Sequence, residues 1–219
     1  MKGRLITVEG IDGVGKTTQV ELLGLKLTSL GYPILFTKEP GSALGGPDIR
    51  KLLFESPTTN KMYPGQADCL YLYDHIGHVE GIIKPALEQG IIVLSDRYAD
   101  SQFAYSKSSK RQTTPSTMAA FKDLYGIVPD VTIFLYAVIK DSSKAWTIAR
   151  ALNRKGPTQR GKMWGADIKE QLIIQEAYVA QLANLARTIT IPVYEEDSAV
   201  NIAEKILCSV TSKLSAVVE

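Results

Sequence analysis

The chain has 219 residues, of which 45% are hydrophobic and 22% are charged, and its formal net charge is +2. These proportions are those of an ordinary folded domain, so the composition excludes a disordered chain and a coiled coil. The apolar runs are shorter than the ~20 residues that span a bilayer, and Glu9 interrupts the first run too early for a signal peptide. We therefore expect one domain, residues 1–219, that stays in the cytoplasm.

Short apolar segments rich in β-branched residues alternate with longer helical patterns along the chain. The predicted strands are residues 5–9, 34–38, 91–95, 131–137 and 188–193. The predicted helices are residues 16–30, 48–54, 68–89, 115–125, 142–154, 167–187 and 198–218. This alternation predicts an α/β fold, in which helices cover both faces of a parallel sheet.

Within the predicted helix 68–89, apolar residues recur at helical spacing and indicate a face that packs on the core. They are Leu72, Ile76, Val79, Ile83 and Leu87.

A glycine-rich segment between the first strand and the first helix matches the pattern G-x-x-x-x-G-K-[ST]. Its glycines let consecutive backbone N–H groups turn towards a phosphate, and the helix N-terminus adds a positive dipole. The pattern predicts that this segment binds ATP or GTP, with Lys16 on the β and γ oxygens and the Thr17 hydroxyl on Mg²⁺. The predicted nucleotide-binding residues are Gly10, Ile11, Asp12, Gly13, Val14, Gly15, Lys16, Thr17 and Thr18.

Other classes of nucleotide-binding protein carry sequence features that this chain lacks. No N-K-x-D or T-K-x-D segment that would read guanine is present, and Glu9 precedes Gly10 where partitioning ATPases carry a lysine. The sequence therefore favours a small metabolic kinase over a GTPase. A nucleotide-dependent switch without an acceptor substrate remains the alternative from a different class.

Three further segments resemble the thymidylate kinase family, and with the glycine-rich segment they stay in register over almost the whole chain. Residues 37–41 (TKEPG) and 49–53 (IRKLL) are similar to the family's T-R-E-P-G-G and I-R-x-L-L segments. Residues 96–98 (DRY), followed by Ser101 and Tyr105, resemble its D-R-Y element. Residues 70–80 (LYLYDHIGHVE) resemble its L-F-A-A-D-R-x-Q-H-V helix, and residues 85–87 (PAL) continue the match.

The resemblance implies a P-loop fold with a five-stranded parallel sheet, a homodimer, and transfer of the γ-phosphoryl group of ATP to dTMP with Mg²⁺. It implies that Arg97 lies between the two nucleotides' phosphates, that Asp96 joins Thr17 near the metal, and that Asp12 approaches the acceptor sugar. The remaining acceptor-binding residues that it implies are Glu39, Arg50, Tyr71, His75, Ser101 and Tyr105, with Arg50 on the phosphate and Tyr71 stacked on the base.

The basic segment 142–166 holds six cations and no acid, which indicates contact with a compact polyanion. Gly13 stands where one branch of the family has a catalytic arginine. A catalytic arginine must then come from elsewhere, and the resemblance points to Arg150 and Arg154, with Arg160 as a further match. We predict a mobile lid at about residues 150–166, in which Arg150 also contacts the donor nucleotide.

His75 occupies the position at which the family carries an arginine that reads the pyrimidine edge. The change predicts looser base selection, so a broader deoxynucleoside monophosphate kinase is the second enzyme hypothesis. His75 and His78 together also suggest a metal site, but the sequence offers no third ligand.

Overall fold

The computed structural model describes residues 3–54, 65–107, 113, 119, 124, 126–140, 146–154 and 167–215. Apart from residues 119 and 124, the predicted helix 115–125 lies outside the described residues. The lid is described only for residues 150–154, and Arg160 is among the lid residues that the structure does not describe.

Five parallel strands form one sheet in the described part of the chain. They are β1 (Arg4–Glu9), β2 (Ile34–Lys38), β3 (Ile92–Asp96), β4 (Val131–Ala137) and β5 (Thr188–Val193), in the order β2-β3-β1-β4-β5. All five predicted strands are confirmed, each boundary to within one residue. Because β1 is central and Val8 lies opposite Asp96 of β3, the carboxyl ends of these two strands meet at one point of the sheet edge.

Helices connect the strands and flank the sheet. In chain order they are α1 (Lys16–Ser29), α2 (Gly46–Phe54), α3 (Gln66–His78), a π-helical segment (Val79–Ile83), α4 (Lys84–Glu88), α5 (Ala99–Tyr105), α6 (Trp146–Arg154), α7 (Ile168–Leu182) and α8 (Ala199–Ser215). No helix in the described ranges combines the length and apolar character needed to cross a bilayer.

Side chains that alternate along β1 build the core on both faces of the sheet. Leu5 packs with Val79 and Ile83 on one face. Ile6 and Val8 belong to the larger cluster that includes the buried side chains of α1. The glycine-rich segment therefore follows a strand that is held from both sides.

The core face predicted for helix 68–89 is only half correct. Val79 and Ile83 are buried, but Ile76 is 39% exposed. A π-helical turn holds more residues than an α-helical turn, so the segment Val79–Ile83 rotates the faces of α3 relative to those of α4. The buried side chains of α3 are Ala67, Asp68, Tyr71, Asp74, His75 and His78, which are mostly polar.

Helix α5 was not predicted, because nearly all of it is buried and its sequence has no amphipathic pattern. The predicted start of α7 is confirmed, since the Asp167 carboxylate accepts a hydrogen bond from the Lys169 backbone N–H at 2.9 Å. The helix ends at Leu182 and not at residue 187.

Candidate active site

Residues 10–17, called the phosphate loop below, connect β1 to α1. Gly15 precedes α1 in a left-handed conformation with φ 114°, and no side chain caps the helix there. The Lys16 ammonium lies across the loop and donates to the Ile11 carbonyl at 2.8 Å. Burial, reinforced by Arg97, lowers the pKa of Lys16 to about 8. A polyphosphate bound in the loop would supply the negative charge that this buried cation lacks.

Gly13 lies against the first turn of α6 and leaves no room for a side chain. Its φ is 80°, and a Cβ at this position would lie 1.9 Å from the Thr147 carbonyl oxygen. An arginine therefore cannot stand here without displacing α6. This contact gives a physical reason why the phosphate loop lacks its own arginine.

Thr17 and Asp96 meet at the end of the phosphate loop, where the Thr17 hydroxyl donates to Asp96 Oδ2 at 2.6 Å. Mg²⁺ prefers oxygen ligands, and in phosphate sites it takes one or two of them from the protein and the rest from phosphates and water. Two protein oxygens at this spacing fit that requirement. No cluster of three or more metal-ligating side chains occurs within the described ranges, so the structure gives no support to a metal site at His75 and His78.

The Arg97 guanidinium is the most highly connected group of the site. Nη1 donates to the Gly10 carbonyl at 3.2 Å, to Ser101 Oγ at 3.0 Å and to Tyr178 Oη at 3.2 Å. Nη2 donates to Asp12 Oδ1 at 2.5 Å and to Tyr105 Oη at 2.9 Å. Burial alone would lower the pKa of Arg97, but the surrounding oxygens outweigh it and hold the pKa well above the usual value.

The backbone of Arg97 is strained, with a φ of 73° that is rare for a residue with a side chain. Two hydrogen bonds hold it there: its N–H donates to Val8 O at 3.1 Å, and its carbonyl accepts from the Ser95 hydroxyl at 2.6 Å. The sheet edge thus fixes the direction in which the guanidinium points.

Sequence reasoning assigned no role to Glu9 or Tyr178, which complete this network. Glu9 is fully buried at the end of β1. Its Oε1 accepts from Tyr98 N at 2.8 Å, and its Oε2 lies within hydrogen-bonding distance of Ser101 Oγ at 2.6 Å and of Tyr178 Oη at 3.0 Å. Burial, reinforced by Asp100, raises the pKa of Glu9 to about 8. A carboxylate at the end of an otherwise apolar strand was the available signal.

A second buried carboxylate, Glu39, organises the other side of the site. It accepts from Nδ1 of His75 at 2.9 Å and from Nδ1 of His78 at 2.7 Å, and His78 Nε2 lies 2.6 Å from the Thr37 hydroxyl. Burial alone would raise the pKa of Glu39, yet its histidine partners hold it at about 2. An ionised carboxylate only accepts hydrogen bonds, so both Nδ1 atoms carry protons.

Arg50, Phe54 and Tyr71 form a small aromatic and cationic group beside Glu39. Arg50 Nη1 donates to the Pro40 carbonyl at 2.7 Å, and its guanidinium lies 5.2 Å from the centre of the Phe54 ring. The Phe54 and Tyr71 rings meet edge to face at 6.5 Å. Tyr71 is almost entirely buried. Arg50 is therefore held by its neighbours rather than lying free on the surface of α2.

Of the lid residues, the structure gives the side chain of Arg150. Its guanidinium stacks on the Trp146 ring at 4.6 Å and donates to the Glu195 carbonyl at 2.9 Å. Arg154 ends α6, but its side chain lies outside the described part of the structure. The structure thus brings Arg150 next to the turn that follows β5.

Comparisons of the chain with a family model and with individual proteins all point to the same family. The sequence model of the family described as "Thymidylate kinase" matches residues 8–200. A "Thymidylate kinase" of Pelotomaculum thermopropionicum is 39% identical over 136 residues, which are 62% of this chain and 62% of that protein. A "Probable thymidylate kinase" of Methanoculleus marisnigri is 35% identical over 179 residues, 80% of this chain and 78% of that protein.

The match to the Pelotomaculum relative thus spans less than two thirds of that protein's length. Among solved structures, the crystal structure of thymidylate kinase from Ehrlichia chaffeensis superposes with a TM-score of 0.69. It is 24% identical and covers 96% of this chain and 100% of its own. At this identity the likeness establishes the fold, a P-loop α/β fold with five parallel strands.

The contact between Gly13 and α6 predicts that Gly13→Ala costs more stability than the same change at Gly31. Both glycines have left-handed backbones, with φ of 80° and 89°, but a Cβ at Gly31 would meet nothing within 4 Å. We expect about 1–2 kcal/mol of strain in both variants, and about 1–3 kcal/mol more in Gly13→Ala from the overlap with Thr147. Urea unfolding measures the difference, and equal losses in the two variants would refute the steric account.

Proposed function

The chain belongs to the thymidylate kinase family, and we propose that it transfers the γ-phosphoryl group of ATP to dTMP to give ADP and dTDP. One observation carries the proposal. The Arg97 guanidinium lies between the phosphate loop, at Gly10 and Asp12, and the acceptor-side hydroxyls of Ser101 and Tyr105. A cation in this position can contact both the donor and the acceptor phosphates, which is what phosphoryl transfer requires.

On the donor side, the phosphate loop holds the β- and γ-phosphates of ATP, with Lys16 as the buried cation. Mg²⁺, when bound at Thr17 and Asp96, neutralises charge on the phosphate oxygens. Arg150 contacts the donor nucleotide near the turn at Glu195. The lid proposed for residues 150–166 belongs to the same single domain, and its residues 155–166 lie outside the described part of the structure.

On the acceptor side, Arg50 binds the phosphate of dTMP and Tyr71 stacks on the base. Asp12 orients the acceptor sugar, and Tyr105 and Ser101 line the space between the sugar and Arg97. Glu39 supports this pocket through His75 and His78, so its role is to hold two side chains in place. The carbonyl contact of Arg50 supports its assignment, because the guanidinium is already oriented.

Catalysis in this scheme consists of positioning and charge neutralisation. Lys16 and Arg97 stabilise the charge that develops on the transferred group, and Arg154 from the lid supplies the third cation. Gly13 supports the last assignment, because its contact with Thr147 prevents the phosphate loop from carrying that arginine itself.

We further propose a cytoplasmic homodimer. Apolar side chains of α2 and α3 are exposed in the single chain, namely Leu52, Tyr73 and Ile76. A second copy of the chain would cover them. Helices α2 and α3 pack against each other, and exposed apolar patches are typical of protein interfaces.

A panel of nucleoside monophosphates tests the kinase activity and distinguishes it from a broader kinase and from a nucleotide-dependent switch. With ATP present, we expect dTMP to stimulate ADP release strongly, and Lys16→Ala to lower kcat by roughly 10³-fold because a contact worth several kcal/mol is lost in the transition state. A nucleotide-dependent switch would show slow hydrolysis that no acceptor stimulates. Full activity in a folded Lys16→Ala variant would refute the proposed mechanism.

The hydrogen bond between His75 and Glu39 predicts loose base selection. Because the Nδ1 proton of His75 is directed at Glu39, a neutral His75 offers the base no donor from that nitrogen, whereas arginine offers a charged fork. Loss of a charge-assisted hydrogen bond of ~1.5–3 kcal/mol relaxes discrimination by about ten- to a hundredfold.

We therefore expect His75→Arg to sharpen the preference for dTMP over dUMP, dCMP and dGMP, since Glu39 can also pair with the introduced guanidinium. The comparison is kcat/KM for the four acceptors in both proteins, with Thr28→Arg, which adds an arginine at an exposed position of α1, as the control. A wild-type enzyme that is already strict for dTMP and does not respond to His75→Arg would show that His75 has no part in base selection.

A further inference from the structure

Three oxygen atoms beneath Arg97 form a closed triangle, called the hydroxyl triangle below. Ser101 Oγ lies 2.6 Å and Tyr178 Oη 3.0 Å from Glu9 Oε2, and the two hydroxyl oxygens lie 2.7 Å apart. Arg97 Nη1 donates to both hydroxyls, at 3.0 Å and 3.2 Å. The two hydroxyls therefore contact both the carboxyl group of Glu9 and the guanidinium of Arg97.

The three sides of the triangle are all of hydrogen-bonding length, and each needs one proton. The two hydroxyls supply two of these protons. Arginine only donates hydrogen bonds, so neither hydroxyl proton is directed at Arg97. The third proton must come from the carboxyl group, so all three bonds form at once only when Glu9 is a neutral acid. We propose that Glu9 is a neutral carboxylic acid that positions Arg97 for phosphoryl transfer through Ser101 and Tyr178.

Groups on every neighbouring element favour this protonation state or resist it. Asp100 on α5 adds negative charge, but it already pairs bidentately with Arg187 at 2.8 Å and 2.9 Å. Arg97 is the cation that most favours an ionised Glu9. The carboxylate that pairs directly with Arg97, however, is that of Asp12. Tyr178 and Ser101 stabilise the ionised form by donating to it, and Lys16 and the Tyr98 backbone N–H also face it. Burial outweighs these groups and raises the pKa of Glu9 to about 8.

Tyr178 is held rigidly enough to transmit this arrangement. It is fully buried on α7, and its ring stacks on Phe134 of β4 at 5.4 Å. Its hydroxyl can rotate its proton, while the packing of the ring holds the oxygen beside Arg97. Loss of the carboxyl proton therefore breaks one side of the triangle and places a second anion next to the guanidinium.

This inference rests on the proposed kinase activity and predicts how kcat changes with pH. At saturating substrates, kcat should fall as the pH rises through about 8, because Glu9 ionises there. The new carboxylate partly neutralises the charge of Arg97, which then stabilises the phosphates less. Glu9→Gln cannot ionise, and its amide donates to the two hydroxyls. Its kcat should stay within about threefold of the wild type at neutral pH, and the alkaline fall should disappear.

Glu9→Ala removes one corner of the triangle and should lower kcat by about ten- to a hundredfold, with a smaller change in the KM for dTMP, because Arg97 is misplaced and not lost. Glu204→Gln, an exposed change on α8, is the control for loss of one carboxylate. An alkaline fall caused by Lys16 would persist in Glu9→Gln, so it is distinguishable. The proposal is wrong if that fall persists, or if Glu9→Gln loses as much activity as Glu9→Ala.

A spectroscopic measurement separates this inference from the proposed function. The infrared difference between wild type and Glu9→Gln should show the carbonyl band of a protonated carboxylic acid at about pH 6.5, and the band should vanish as the pH rises through about 8. If the protein transfers no phosphate but shows this band, the proposed function fails and the protonation state stands. Absence of the band at about pH 6.5 overturns the inference whatever the activity.

Discussion

The site depends on one buried guanidinium that is surrounded by oxygen atoms. A charge taken out of water costs several kcal/mol unless its partners replace the lost hydration. Arg97 meets that condition with a carbonyl, a carboxylate and three hydroxyls, and these come from the phosphate loop, from α5 and from α7. Removing any one of these elements would leave the buried charge of Arg97 without some of its hydrogen-bond partners. The contacts that form the active site therefore also hold these elements together.

The sheet explains why these groups meet. Parallel strands end at the same edge, and ligands collect at that edge. Because β1 and β3 are neighbours, the phosphate loop and Arg97 start from adjacent strand ends, and the rare backbone conformation of Arg97 is fixed by hydrogen bonds from Arg97 N–H to Val8 and from the Ser95 hydroxyl to the Arg97 carbonyl. Glu9 ends β1 directly below this point. The same strand thus delivers both the phosphate loop and the buried acid.

Much of this arrangement could be predicted from the sequence, because it depends on patterns within short segments of the chain. The strands follow β-branched runs, and the phosphate loop has a spacing that its chemistry requires. What could not be predicted depends on a local change of helix type and on contacts between distant segments. The π-helical turn at Val79–Ile83 moves the buried face of α3 onto polar residues, and the meeting of Tyr178 with Glu9 joins residues that are 169 positions apart. The roles of the individual site residues remain predictions.

Arg97 acts through the shape of its guanidinium and not only through its charge, because its two terminal nitrogens donate to separate groups of oxygen atoms. Replacing Arg97 with lysine keeps the charge but leaves a single nitrogen where two now bind five oxygen atoms. The most direct test is kcat of a folded Arg97→Lys variant at saturating ATP and dTMP. We predict a fall of roughly 10²- to 10³-fold, the size expected when a preorganised transition-state contact is lost. A kcat within about threefold of the wild type would show that the charge of Arg97 is sufficient and that the fork of its guanidinium is not needed.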